Sequence, residues 1–173
     1  MTESIFADMA KAWDGTCGGG IWWSKERKYK NAIANELFLS VAAHLANRTT
    51  GRARRDYLSW GNREWSWFQA TGMINPGNLI NDGLGKGPGG TTGTDCVNNH
   101  GTIWSYNQGV VLGGLAELSV ANHNPSLPLA AQKFAMATVT QLVDSSQIVR
   151  MSGGNPESRG GKGRGGRLDK VAS

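Results

Sequence analysis

Side chains able to bind a polar ligand are concentrated in residues 96–118, which read CVNNHGTIWSYNQGVVLGGLAEL. The stretch opens as a polar loop typical of turns and passes through Trp104 and Tyr106. It then becomes helical, because its apolar residues recur at three- and four-residue spacing. Asn107 and Gln108 fall with Tyr106 in the first turn of that helix. The pattern predicts polar and aromatic side chains that could face a ligand at the start of a helix.

Three glycines in the same helix require an explanation. Gly109, Gly113 and Gly114 each lower helix propensity by about 1 kcal/mol relative to alanine. Close packing against a neighbouring element is the simplest compensation. We therefore expect this helix to approach a neighbour closely through its glycines.

One carboxylate stands out in the stretch from residue 72 to residue 103, which shows little periodicity. Loops this long inside a compact domain are usually functional or disordered. Asp82 lies there beside Asn78 and Asn81, and a carboxylate that accepts two hydroxyl hydrogen bonds orients a sugar ring well. The alternative is a local role for Asp82, as a helix N-cap or in an Asx-turn.

A glycine-rich turn at residues 18–20 is followed at once by Ile21, Trp22 and Trp23. Such a turn can bring the backbone close to a ligand, and indole rings offer flat faces to the C–H groups of sugars. The alternative, which the residues alone favour, is that both indoles cover the hydrophobic core.

The clearest helix covers residues 30–47. A four-residue apolar stripe runs along it through Ile33, Leu37, Val41 and Leu45, and Ala34, Phe38 and Ala42 widen this stripe. Asn31 and Asn35 share a different edge of this helix, with Glu36 beside them. The two amides could bind hydroxyl groups, and the alternative is a solvated helix surface.

Other helices are predicted from residue 56 to 71, with Asp56 as N-cap, and from residue 127 to 143. The basic run from Arg52 to Arg55 is interpreted as a solvated loop. The chain also begins in a helical pattern. A start inside a helix suits a truncated product better than a natural beginning.

Charge is unevenly distributed along the 173 residues, whose net charge is +5. Six basic and two acidic residues follow from Arg150 onward, so the preceding body is nearly neutral, which argues against a nucleic-acid surface. Residues 1–149 are predicted to form one domain, and the Gly/Arg-rich residues 150–173 a disordered tail. No signal peptide or membrane span is expected in this chain.

The two cysteines, Cys17 and Cys96, permit one disulfide, and two reduced thiols are the alternative. No metal or cofactor is expected, because His44 and His100 lack ligand partners at suitable spacing.

Four segments together resemble glycoside hydrolase family 76, the endo-α-1,6-mannanases. They are WDGTCGGGIWW (13–23), KNAIANELFLSVAAHLA (30–46), GMINPGNLINDGL (72–84) and WSYNQGVVLGGLAEL (104–118). The resemblance implies an all-α fold, the (α/α)6 barrel of twelve helices. Members are about twice this length, so about half a barrel is expected here. Such a partial barrel would leave apolar helix faces exposed, and we expect the chain to associate through them.

The resemblance also implies a chemistry, the retaining hydrolysis of α-1,6-mannosidic bonds. The family places an adjacent Asp-Asp pair on a helix upstream of the WDGTCGGG segment, and no such pair occurs in this sequence. The expectation is therefore a substrate groove without catalytic residues. Its predicted members are Trp22, Trp23, Asn31, Asn35, Asp82, Trp104, Tyr106, Asn107 and Gln108. Of the two adjacent tryptophans, the resemblance favours one in the core and one lining the groove.

Three functions remain open at this point. The first is an incomplete α-1,6-mannan hydrolase or its cell-wall transglycosidase relative, extracellular or cell-wall-bound in its full-length form. The second is a non-catalytic mannan-binding remnant. The third is an RNA-associated protein acting through its Gly/Arg tail.

Overall fold

The computed structural model describes residues 2–85 and 95–151, and this part of the chain is helical. Five α-helices follow one another: α1 Thr2–Lys11, α2 Ala32–Arg48, α3 Gly51–Ala70, α4 Ser105–Asn122 and α5 Ser126–Gln141. A short 3-10 turn, Thr16–Gly18, separates α1 from α2. The described residues form isolated β-bridges but no strand, so the all-α prediction is confirmed. Residues 152–173, most of the predicted tail, lie outside the described ranges.

Helices α2 and α4 are parallel neighbours and form the most extensive helix contact. Leu39 lies against Gly114 near the middle of the two helices. Further toward the C-terminal ends of both helices, the Asn47 side chain donates a hydrogen bond of 2.8 Å to the main-chain oxygen of Glu117. The contacts advance in the same direction on both helices, and short turns lead from α2 into α3 and from α4 into α5. Two helical hairpins therefore stand side by side, as in part of an α/α barrel.

The buried face of α2 differs from the predicted stripe. Leu37 is 45% exposed, and Ile33 and Val41 are only partly buried, whereas Phe38 and Leu39 are fully enclosed. The reason is that α2 packs against both α3 and α4, so its buried arc is wider than one stripe and centred elsewhere. Spacing identified the helix and the buried Phe38, Ala42 and Leu45 of its apolar face, but it wrongly centred that face on Leu37.

The start of α3 corrects a second prediction. The helix begins at Gly51 and not at Asp56, so the basic run from Arg52 to Arg55 is helical. Arg54 explains part of this, because its guanidinium donates a hydrogen bond of 2.8 Å to the main-chain oxygen of Ala121 near the end of α4. A contact between helices therefore lies within the segment interpreted as a solvated loop.

The glycines within the helices differ in how closely neighbouring side chains approach them. A Cβ atom added at Gly114 would lie 3.2 Å from Leu39, and one added at Gly61 of α3 would lie 3.0 Å from Leu118. Gly109 and Gly113 face open space, with nothing within 4 Å of the same position. The expected close approach therefore applies to one of the three glycines of α4.

Candidate functional site

The carboxylate of Asp82 is held from two sides. The indole of Trp104 donates to its Oδ1 at 2.9 Å, and the hydroxyl of Tyr29 donates to its Oδ2. Asn99 completes the arrangement, because its amide donates to the Tyr29 hydroxyl at 3.1 Å. Burial and then the contact with Asp82 raise the pKa of Tyr29, so its phenol stays protonated and remains a donor. Asp82 is thereby fixed in orientation while remaining partly exposed.

Main-chain hydrogen bonds place Asp82 beside the start of α2. The Ala32 N–H donates to the Asp82 carbonyl at 2.8 Å, and the Leu84 N–H donates to the Lys30 carbonyl at 3.0 Å. The Asn99 N–H donates to the Gly83 carbonyl at 2.9 Å, which adds the loop preceding α4. Three chain segments therefore converge on this carboxylate, although little periodicity marks the loops in the sequence.

An aromatic pair lies next to Asp82 at the beginning of α4. The rings of Trp104 and Tyr106 stack with centroids 5.6 Å apart and planes inclined by 10°. Tyr106 is 45% exposed. Burial, followed by the neighbouring carboxyl groups of Asp82 and then Glu36, raises the pKa of Tyr106. Asp82, Trp104, Tyr106 and Tyr29 are called the Asp82 cluster below.

Gln108 and Asn107 point into the protein and not into solvent. The Gln108 amide donates to the Ile80 carbonyl at 3.0 Å and accepts from the Ile80 N–H at 3.0 Å. Asn107 is fully buried, and its amide atoms have no hydrogen-bond partner among the described residues. Gln108 therefore anchors the loop that carries Asp82, and neither amide is open to a ligand from solvent.

Asn31 and Asn35 attach α2 to neighbouring main chain. Asn31 caps the helix, accepting from the Ala34 N–H at 3.3 Å. Asn35 is fully buried, accepts from the Ile21 N–H at 2.7 Å and donates to the Ile21 carbonyl at 3.1 Å. Its amide also donates to the Asn31 carbonyl at 2.7 Å. Both side chains are therefore buried, and the Asn35 amide is fully used by the main chain of Ile21 and Asn31.

The two adjacent tryptophans occupy different environments. Trp22 is 7% exposed, and its indole donates to Asp14 at 2.7 Å. Trp23 is 60% exposed and lines a cavity of about 470 Å³ together with Met9 and Leu37. That cavity does not include the Asp82 cluster. The structure therefore brings Asp82, Trp104 and Tyr106 together but places Trp23 elsewhere.

Lys30 was not identified from the sequence, yet it holds the glycine-rich turn in place. Its buried ammonium group donates to Asp14 at 2.9 Å and to the carbonyl oxygens of Thr16 at 2.7 Å, Gly19 at 2.7 Å and Gly20 at 3.0 Å. Burial alone would raise the pKa of Asp14, but hydrogen bonds led by the one from Lys30 lower it to about 2. Nothing in the spacing distinguishes this lysine from a solvated one.

The turn is joined to the loop before α4 by a disulfide. Cys17 and Cys96 are bonded across a sequence separation of 79 residues, with Cα atoms 5.0 Å apart. Of the two alternatives that the sequence left open, the structure has the disulfide. It connects the segment fixed by Lys30 with the segment that supplies Asn99 and Trp104.

The described residues hold no group of three or more His, Cys, Asp or Glu side chains suited to a metal ion. In the same ranges, no helix combines the length and apolar character needed to cross a membrane.

Comparison with known proteins identifies the family. The profile of glycosyl hydrolase family 76 matches residues 1–158. The chain belongs to this family. Among its curated relatives, the mannan endo-1,6-alpha-mannosidase of Candida glabrata is 35% identical over 126 residues, which are 68% of this chain and 26% of that protein. A Saccharomyces cerevisiae protein named mannan endo-1,6-alpha-mannosidase is 33% identical over 122 residues, 67% of this chain and 25% of its own. The chain thus spans about a quarter of the length of these relatives.

Solved structures show the same fold. Dfg5 from Chaetomium thermophilum, in complex with glucosamine, superposes with a TM-score of 0.70 at 22% identity, over 85% of this chain and 35% of its own. An inactive variant of the α-1,6-mannanase of Salegentibacter sp., with two consecutive aspartates replaced by alanine, was solved with α-1,6-mannotetrose. It gives a TM-score of 0.71 at 22% identity, over 85% of this chain and 42% of its own. This chain of family 76 therefore has a partial (α/α)6 fold.

Proposed function

We propose that the chain forms part of the substrate groove of an endo-α-1,6-mannosidase and that the Asp82 cluster binds a mannosyl unit. The observation that carries the proposal is the orientation of the Asp82 carboxylate by Trp104 and Tyr29 beside the exposed ring of Tyr106. An oriented carboxylate suits vicinal hydroxyl groups, and an exposed aromatic face suits the C–H face of a pyranose. The names of the curated relatives supply the choice of α-1,6-mannan.

The proposed role is binding without cleavage by this chain alone. Retaining hydrolysis requires two carboxyl groups about 5 Å apart, one as nucleophile and one as acid. The sequence contains no Asp-Asp dipeptide, whereas an inactive form of the Salegentibacter mannanase was made by replacing two consecutive aspartates. Asp82 is committed to two donors and serves here as a binding group. Cleavage, or the transfer reaction of a cell-wall transglycosidase, belongs to the complete enzyme.

The remaining predicted contacts have different parts in this proposal. Trp23, with its exposed indole, stays a predicted saccharide contact at a separate position. Trp22, Asn31, Asn35, Asn107 and Gln108 support the groove from within and do not touch the sugar. The proposed location of the full-length protein is extracellular or at the cell wall, which agrees with the disulfide, since disulfides persist in oxidising compartments. The division into a domain of residues 1–149 and a tail of residues 150–173 is likewise proposed.

Calorimetric titration with α-1,6-mannotetraose tests the proposal. We expect measurable binding by the unchanged chain and a loss of about tenfold or more, equivalent to about 1.4 kcal/mol, in Asp82→Asn and Tyr106→Ala. Met136→Ala, which alters an exposed apolar side chain on α5, is the matched control and should bind as the unchanged chain does. Equal affinity in all four proteins, or no binding by any, would contradict the proposal. Chromatography of the same mixtures reports whether the sugar is cleaved.

A further inference from the structure

Two buried polar side chains, one on α2 and one on α4, have no hydrogen-bond partner among the described residues. Glu36 and Asn107 are both 0% exposed. None of the two carboxyl oxygens of Glu36 or the two amide atoms of Asn107 has a hydrogen-bond partner among the described residues. Buried polar groups of folded proteins nearly always have a partner, in the protein or in ordered water. These four atoms therefore indicate a site for something that can both donate and accept.

The register of the two helices brings these side chains to a similar level. The Asn47 side chain of α2 donates to the main-chain oxygen of Glu117 in α4, and the helices are parallel. Glu36 lies eleven residues before Asn47, and Asn107 lies ten residues before Glu117, on the stripe of α4 that continues through the buried Val111. The side chains of both helices lean back toward the helix start. Both polar groups therefore lie at the start of the α2–α4 interface.

The Asp82 cluster lies next to this end of the α2–α4 interface. Tyr106 directly precedes Asn107, and Glu36 is one of the two carboxyl groups whose ionisation raises the pKa of the Tyr106 phenol. Glu36 thus lies within electrostatic range of an exposed ring of the proposed saccharide site. A change between α2 and α4 at this point would shift the first turn of α4 and the ring with it.

The chemistry of the pair suits water. Burial raises the pKa of Glu36 well above its usual value, so the carboxyl group is neutral and offers one O–H donor besides its acceptors. The Asn107 amide offers two N–H donors and an acceptor. A buried water molecule needs two to four such partners, and its oxygen can accept from one side chain while its hydrogens donate to the other.

We propose that Glu36 and Asn107 form an internal binding site for ordered water between α2 and α4, and that the hydrated pair positions the first turn of α4, with Tyr106, for saccharide binding. The second half of this statement rests on the proposed function. The first half does not, because it concerns only the interior of the helix pair. Glu36 and Asn107 are positioning residues in this arrangement, since neither reaches the sugar.

Glu64 provides a matched control within the same chain. It is also 0% exposed and lacks a hydrogen-bond partner among the described residues, but it belongs to α3. Its electrostatic neighbours are Lys30 and Arg63, and it does not contribute to the shift of Tyr106. Replacing Glu64 removes an equally buried carboxyl group without touching the start of α4.

Water-to-amide cross-relaxation in NMR spectra tests the hydration site. We expect long-lived water signals at the side-chain amide of Asn107 in the unchanged chain, in Glu64→Leu and in Glu36→Gln, which keeps a donor and an acceptor. The signals should disappear in Glu36→Leu. Absence of the signal in the unchanged chain overturns the proposal even where a variant fails to fold. Persistence of the signal in a folded Glu36→Leu overturns it as well.

Affinity for α-1,6-mannotetraose tests the positioning role separately. We expect Glu36→Leu and Asn107→Leu to weaken binding about tenfold, which corresponds to about 1.4 kcal/mol. Glu36→Gln and Glu64→Leu should retain the affinity of the unchanged chain. If the unchanged chain binds and Glu36→Leu binds equally well, the positioning role is wrong. If the unchanged chain does not bind at all, the proposed function fails, while the water signals still decide the hydration site.

Discussion

Asp82 acquires its character from neighbours that are distant in the sequence. Its partners Tyr29 and Trp104 lie 53 and 22 residues away along the chain. A side chain fixed by two donors keeps its outward lone pairs in a constant direction, which lowers the entropic cost of binding a ligand. Asn35, by contrast, is saturated by the main chain of Ile21 and Asn31. At the scale of residues, the same polar chemistry serves recognition where it is partly exposed and tertiary support where it is enclosed.

The buried carboxyl group of Glu64 leads to a prediction about pH. Burial raises its pKa well above 4.5, and the charges of Lys30 and Arg63 only partly oppose this. A raised pKa means that the folded state holds a proton that the unfolded state has released. The stabilising contribution of Glu64 is therefore complete below about pH 4.5 and is lost as the pH rises toward the folded-state pKa.

Glu64→Gln should remove this dependence. We expect its free energy of unfolding, relative to that of the unchanged chain, to increase by about 1.4 kcal/mol per pH unit in that range. Urea unfolding at several pH values between about 5 and 8 measures the difference in the free energy of unfolding. The same replacement at the exposed Glu3 is the control for removing a carboxyl group at the surface. A constant difference between Glu64→Gln and the unchanged chain would contradict the prediction.

Helix α4 illustrates how neighbouring positions of one element differ in what they tolerate. Gly114 is buried against Leu39, whereas Gly113 is exposed and faces open space. The first glycine permits the close contact of α2 with α4. The second glycine only lowers helix propensity.

Valine substitutions at these two positions should therefore have opposite effects. Gly114→Val places extra atoms against Leu39 and should destabilise the chain by about 1–3 kcal/mol, the usual cost of overpacking. Gly113→Val meets no neighbour and should stabilise it by a few tenths of a kcal/mol, roughly the difference in helix propensity. Thermal unfolding of both variants measures the contrast. Similar shifts in the two proteins would show that α2 and α4 are less closely packed than described.

At the scale of the whole molecule, the chain has apolar faces that its own residues do not cover. Leu129, Met136 and Val139 lie along one face of α5 and are 61%, 55% and 62% exposed. On α1 and α2, Ile5 and Leu37 are 54% and 45% exposed. Contiguous apolar surface of this kind is typical of contact surfaces.

We expect the isolated chain to self-associate through the exposed face of α5. Sedimentation velocity should detect oligomers whose fraction grows with concentration. Replacing Leu129, Met136 and Val139 together by glutamine should shift the chain toward the monomer, because it removes the apolar area that association buries. Gln132→Ala combined with Thr140→Ala changes exposed polar positions of the same helix and should leave association unchanged. A monomeric unchanged chain with a sharp, cooperative thermal transition would contradict the prediction.

The sequence by itself determined the helical architecture, the family and the stretch that carries the aromatic part of the Asp82 cluster. These features depend on local spacing and on segments such as WSYNQG, which are complete within a few residues. Tertiary structure alone decided that α3 begins at Gly51, that Lys30 holds the glycine-rich turn and that Tyr29 completes the Asp82 cluster. It also placed Asn35, Asn107 and Gln108 in the interior. The physical reason is that exposure and hydrogen-bond partners depend on which segments cover one another, and those contacts join residues far apart in the chain.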